Sequence, residues 1–197
     1  GLEALHALKL SPEQYVETLH GRPLAPRLET ATALLRDTEA AHGDLLAYGL
    51  KKLDAQLTPR TAAAHDARRT WLAPWLFESF RREDLQHAVS RTLTDLNLSP
   101  NADGRLTVET SARELKRPHV FALRVPDQVR LLLAPGLGVE TYATWLGEWA
   151  VALHRANTGR TLPFVERRLG DDAVLHAVRA LFESFLLDEG WLKRYLR

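Results

Sequence analysis

Between residues 105 and 134 the chain leaves helical periodicity for strand periodicity, with helical patterning on either side. "RLTVET" (105–110) alternates as a half-buried strand does. "HVFALRV" (119–125) and "QVRLLLA" (128–134) flank Pro126–Asp127, an arrangement that predicts a β-hairpin or two sequential strands. A small sheet cannot bury its apolar face alone, so helices must cover it. The expected fold class is therefore α+β and mainly helical. A small β-sheet or hairpin stands between a helical N-terminal block and two C-terminal helices.

The helical signals are local and specific. In "SPEQYVETLHG" (11–21) Ser11 reads as a cap, Pro12 as the first helical residue and Gly21 as the stop. From Pro26 to Leu57, the spacing of Leu28, Leu34, Leu35, Leu45, Leu46, Leu50 and Leu53 predicts one long helix, or two broken near Gly43. Thr58–Pro59 is expected to cap the next helix and Ala73–Pro74 to interrupt it. Leu85, Val89, Leu93 and Leu96 then share one helical face. "SPNADG" (99–104) is turn chemistry. Helix returns over 139–157, a loop follows over 157–170, and an amphipathic helix runs over about 172–187. The expected organisation is a helical block over 1–98 and a sheet-plus-helix block over 99–197, as one compact domain or one lobe of a larger fold.

Charge and composition exclude several function classes. Lys and Arg number 26 against 25 Asp and Glu, so a net charge of +1 makes no electrostatic case for nucleic acid. Arg60, Arg68, Arg69, Arg81 and Arg82 form one basic stretch, of the kind that is ordinarily a solvated helix face. With no cysteine there is no disulfide, thiolate metal site or cysteine nucleophile, which fits a reducing compartment and a cytoplasmic location. No apolar run approaches the roughly 18 residues of a membrane span, and "GLEALHALKL" has no signal-peptide pattern. Methionine is absent even at position 1, so Gly1 reads as a processed or engineered start of an excerpted chain. His6, His20, His42, His65, His87 and His119 show no ligand-type spacing. "GLG" (136–138) is too short for a phosphate loop, and neither Ser99 nor Ser184 sits in a nucleophile motif.

The chemistry-bearing stretch is "LGEWAVALH" (146–154). On a helix Gly147, Val151 and His154 fall on one stripe, at i, i+4 and i+7. Two histidines at i and i+4 could reach one metal ion, and Glu148 is rotated by about 100° from that stripe. Gly147 is the anomaly, because a mid-helix glycine costs about 1 kcal/mol relative to alanine.

This stretch, with "GDDAVLHAVRALFE" (170–183), resembles the thimet oligopeptidase and oligoendopeptidase F group of zinc peptidases. In that group an L-H-E-x-G-H-A-L-H helix supplies two histidine ligands, and a G-D-N-x-V-x-E-x-x-x-x-L-F-E helix supplies a glutamate. "ARRTWLAPWLFESFRREDLQHAVSRTLTDLNL" and "KRPHVFALRVP" resemble the segments around the sheet, so the likeness runs from about residue 11 onward. The resemblance implies a zincin-like metallopeptidase domain. Gly147 and Val151 stand at the two histidine positions, His176 at the glutamate ligand, Glu148 at the general base, and His154 at the extra histidine. Val151 and His176 lie 25 residues apart, the separation expected within the group.

Glycine and valine have no donor atoms, so the zinc implied by the resemblance is expected to be lost and no cofactor is expected. Without a Lewis acid, water near Glu148 keeps its high pKa. General-base help alone contributes about 10²–10⁴-fold, far short of what peptide hydrolysis needs. The expected function is a catalytically inactive pseudo-metallopeptidase that retains peptide or protein binding. The expected binding residues are Val120, Phe121, Ala122 and Leu123 on a strand edge, with Trp145 and Trp149 lining a groove. Two alternatives stand beside it: a residual zinc peptidase using His154 and His176 with Glu148, and a structural or regulatory lobe of a larger assembly. Peptide or protein is the expected partner, with no nucleic acid, no membrane, and the oligomeric state left open.

Overall fold

The computed structural model describes residues 9–21, 23–110, 117–168 and 172–196, with the side chains of 19 and 20 left aside. His6 and the Gly170–Asp171 start of the second resembling segment lie outside the described residues. The chain divides into two compact units, residues 1–67 and 68–197.

In the first unit, α1 (Pro12–His20) opens on a capping box. Gln14 donates its backbone N–H to Ser11 Oγ at 3.2 Å, and Ser11 donates its own to Gln14 Oε1 at 2.9 Å. Each contact satisfies a donor that the first turn would otherwise leave orphaned. Gly21 ends the helix in the left-handed region at φ 62°. α2 (Ala25–Leu53) is one continuous 29-residue helix. Gly43 does not break it, because the cost of one glycine is spread over a long run of good helix formers. The expected helix start at Thr58–Pro59 is corrected. Those residues head a single turn closed by Ala62 N–H on the Thr58 carbonyl at 2.9 Å. Helix α3 (Ala64–Leu72) starts later, where Asp66 Oδ2 accepts from Ala63 N–H at 2.9 Å.

The second unit holds the sheet. After Ala73, at φ 45°, and a 3₁₀ turn over Pro74–Leu76, α4 (Arg82–Asp95) buries Leu85, Val89 and Leu93. Leu96 falls at its C-cap and is exposed. Strands β1 (Leu106–Thr110), β2 (His119–Arg124) and β3 (Gln128–Leu133) form a mixed sheet in the order β1-β3-β2. β1 is parallel to β3, pairing Leu106 with Val129, and β2 is antiparallel to it across the Pro126–Asp127 turn. Val129, Leu131 and Leu133 are buried, whereas Phe121 and Leu123 of β2 are 46% and 51% exposed.

Helix α5 (Val139–Ala156) packs on the sheet. Trp145 Nε1 donates to the Ala134 carbonyl at 2.8 Å, and Tyr142 Oη to the Arg81 carbonyl at 2.7 Å. Two helices were expected after the sheet. The structure adds short α6 (Phe164–Arg168) inside the expected loop. It also ends α7 (Asp172–Glu183) early, in a 3₁₀ turn over Ser184–Leu187, and starts α8 (Glu189–Tyr195) at an Asp188 cap. Trp191 of α8 donates Nε1 to buried Thr92 Oγ1 of α4 at 3.0 Å. The division into units falls at 67/68. α4 shares one core with β1, β3 and α5, so the sheet unit reaches back to residue 68.

Candidate functional site

α5 and α7 run antiparallel. Gly147 lies against Arg179 and Glu183, while His154, about two turns along α5, shares a cleft with Val174 and Leu175. A Cβ on residue 147 would lie 2.5 Å from Glu183 Oε1 and 2.8 Å from Arg179 Cγ. The close approach of α7 explains the mid-helix glycine.

Glu148 is next to this contact, with 13% of its side chain exposed. Arg179 Nη2 donates to Glu148 Oε1 at 2.5 Å, a charge-assisted bond. Burial pushes the Glu183 carboxyl above its usual range; the Arg179 guanidinium pulls it down and the Glu148 carboxylate raises it. Two carboxylates and one guanidinium thus surround Gly147.

This arrangement does not fit zinc. Gly147 and Val151 offer no donor atom, and both are buried in the packed side of α5. His176 is exposed. His154 is half-buried in a cleft of about 370 Å³ with Glu166, Arg155 and Leu175, a cleft that His176 does not line. Burial, with Arg155 adding to it, holds the His154 pKa below the usual imidazole value. Among the described residues, no three His, Asp or Glu side chains converge where they could hold a metal ion. His154, His176 and Glu148 are not among any such group.

The expected peptide-binding set is divided. β3 lies between β1 and β2, and Trp145 and Trp149 line clefts bounded by β1 and α4, with no β2 residue in either. On β2, Arg168 Nη1 donates to the Ala122 carbonyl and Arg167 Nη1 to the Val125 carbonyl at 3.3 Å. The Arg168 guanidinium occupies an acceptor that an added strand would use, and Arg167 sits just past the strand's end. Val120 and Ala122 turn inward and are half-buried, whereas Phe121 and Leu123 face out. Sequence reasoning missed Arg167, Arg168, Arg179 and the role of Glu183. Only Glu183 carried a signal, as the end of the "LFE" run.

Fold and site together define an α+β unit in which an ion-paired helix seam, built from Glu148, Arg179 and Glu183, closes around Gly147. No protein-family model, curated protein or solved structure matches the chain.

Proposed function

We propose that this chain is a non-hydrolytic, peptidase-like module that works by binding a peptide or an extended segment of another protein. The likeness to the thimet oligopeptidase and oligoendopeptidase F group is part of the proposal. It is supported by the facing of α5 and α7, which carry the two resembling segments. His176 lies one turn before Arg179, on the α7 stripe that continues to Glu183.

The observation that carries the reading is the contact at Gly147. Arg179 and Glu183 fill the space into which a ligand side chain at position 147 would project. The same Arg179 engages Glu148, the one catalytic-type residue left in the stretch. The Glu148 carboxylate is already engaged in that ion pair, and no Lewis acid can be ligated from positions 147 and 151.

Two measurements on the full chain test the proposal. Zinc content of protein purified without chelators or an affinity tag is expected to be far below one per chain, and fluorogenic peptides are expected to survive at the buffer rate. Stoichiometric zinc together with chelator-sensitive turnover overturns the non-hydrolytic half. Calorimetric titration with pooled peptides tests the binding half, which falls if the folded protein gives only background heat.

A further inference from the structure

We propose that the free edge of β1, together with the tryptophan-lined groove beneath α4, is the site that takes up an extended polypeptide segment as a fourth strand. The inference rests on the binding reading above and moves it from β2 to the opposite edge of the sheet.

The hydrogen-bond register makes the β1 edge available. Val129 donates its N–H to the Arg105 carbonyl at 2.9 Å, and Leu106 is the register partner of Val129. In a parallel ladder this parity turns the backbone groups of Thr107 and Glu109 toward β3, and those of Leu106, Val108 and Thr110 away from it. Leu106 agrees, since its N–H donates outward to the Asn101 carbonyl at 2.9 Å. Beyond that point the outward N–H and C=O of Val108 and the N–H of Thr110 have no partner among the described residues. These groups recur every second residue, which is the spacing of an extended chain and of no helix or compact ligand. On the β2 edge, by contrast, Arg168 already occupies the Ala122 carbonyl in mid-strand, and Arg167 the Val125 carbonyl just past the strand's end.

Space and lining fit the same occupant. Leu106, Val108 and Thr110 form one wall of a cleft of about 410 Å³, with Ser90 of α4 across from them and Trp149 beside them. An adjoining cleft of about 460 Å³ shares Thr110, Gln86 and Trp145, and continues to Pro135 and Gly136. Both volumes lie in the range that holds small ligands. Beside aliphatic Val89, Leu106, Val108 and Leu133, the clefts offer indoles, hydroxyls and amides, with Arg82 and Glu83 opposite in charge, so uncharged ligand side chains are favoured. Trp149 is 7% exposed, and its buried Nε1–H has no hydrogen-bond partner among the described residues.

The experiment uses the full chain and acetylated hexapeptides alternating Thr with Val, Leu or Tyr, each carrying one terminal lysine. At saturation, hydrogen exchange at the Val108 and Thr110 amides is expected to slow at least tenfold, with Ala122 and Arg124 unchanged. Val108→Pro removes an outward-facing N–H together with the valine side chain in the cleft wall, at a position where edge strands accept proline, and is expected to weaken binding at least tenfold. Ser90→Trp fills the groove from the exposed face of α4 without altering any residue of the sheet, and is expected to do the same if Val108→Pro fails to fold. Protection at β2 instead of β1, or undiminished binding by both variants, overturns this assignment while leaving the binding reading intact. Background heat from the folded parent chain overturns both.

Discussion

Arg179 of α7 clasps Glu148 of α5 at 2.5 Å, immediately beside the glycine that lets the two helices meet. The pair joins segments 31 residues apart in sequence, and its carboxylate is largely withdrawn from water. A surface ion pair contributes little to stability, but a shielded carboxylate that loses its partner is costly.

That asymmetry sets the first expectation. Arg179→Met leaves Glu148 without its donor and should destabilise the sheet unit by about 1–3 kcal/mol. Adding Glu148→Gln should restore part of the loss, because the stranded charge is removed. Urea denaturation of the two single variants and the double variant measures the coupling. Strict additivity would mean that the ion pair contributes nothing.

Gly147→Ala sets two effects against each other. Helix propensity favours alanine by about 1 kcal/mol. The new methyl, however, would meet Arg179 Cγ at 2.8 Å, a mid-chain atom that cannot yield as freely as the Glu183 carboxylate end. Overpacking of this kind costs about 1–3 kcal/mol, so the net change should be destabilising. A variant more stable than the parent would show that α7 can withdraw without cost.

Glu183 gives the molecule a pH dependence of definite sign. Its folded-state pKa is raised above the ordinary 4.5, chiefly by burial, so the folded state holds this proton more tightly than the unfolded state. Stability from this group is full below the unfolded pKa and is lost as pH rises through the folded one. Glu183→Gln should therefore gain stability relative to the parent as pH is raised from about 4.5 to neutrality. Paired melting curves across that range check it, and a constant difference between the two proteins would contradict it.

Thr92→Val is nearly isosteric and removes a hydroxyl that makes two bonds, one of them donated to the Ala88 carbonyl of its own helix at 2.8 Å. Thr92 is 2% exposed and accepts from Trp191 Nε1 at 3.0 Å. Valine strands that indole N–H, for a loss of about 1–3 kcal/mol. Denaturation followed by tryptophan fluorescence reads it directly.

The elements readable from sequence were those whose causes are local. Ser11, Gln14 and Gly21 specify α1 within eleven residues, and the runs around Pro126–Asp127 specify the hairpin. The start of α3 was misplaced because an Asp66 cap, later in the chain, outcompetes Thr58–Pro59. α8 is seven residues long and docks through a partner 99 residues away, so its cause is tertiary. Gly147 was recognisable as an anomaly, but its reason lies in Arg179 and Glu183 on another helix. The β2 edge read as open for the same reason, since its caps come from Arg167 and Arg168 beyond α5.

Those caps lead to the remaining expectation. An exposed strand edge flanked by Phe121 and Leu123 is a template for pairing with another chain, and arginines across its carbonyls obstruct that pairing. Arg168→Ala frees the Ala122 carbonyl, and removing a charge-assisted bond at this half-exposed site should cost about 0.5–1.5 kcal/mol. The larger effect should be kinetic: light scattering of concentrated protein should rise faster than for the parent, with a gain of β-structure in the aggregate. Arg168→Lys keeps the charge and a donor but loses the fork geometry, and should fall between the two. If Arg168→Ala scatters no faster than the parent, the guanidinium is not what guards the edge, and the short length of β2 must suffice.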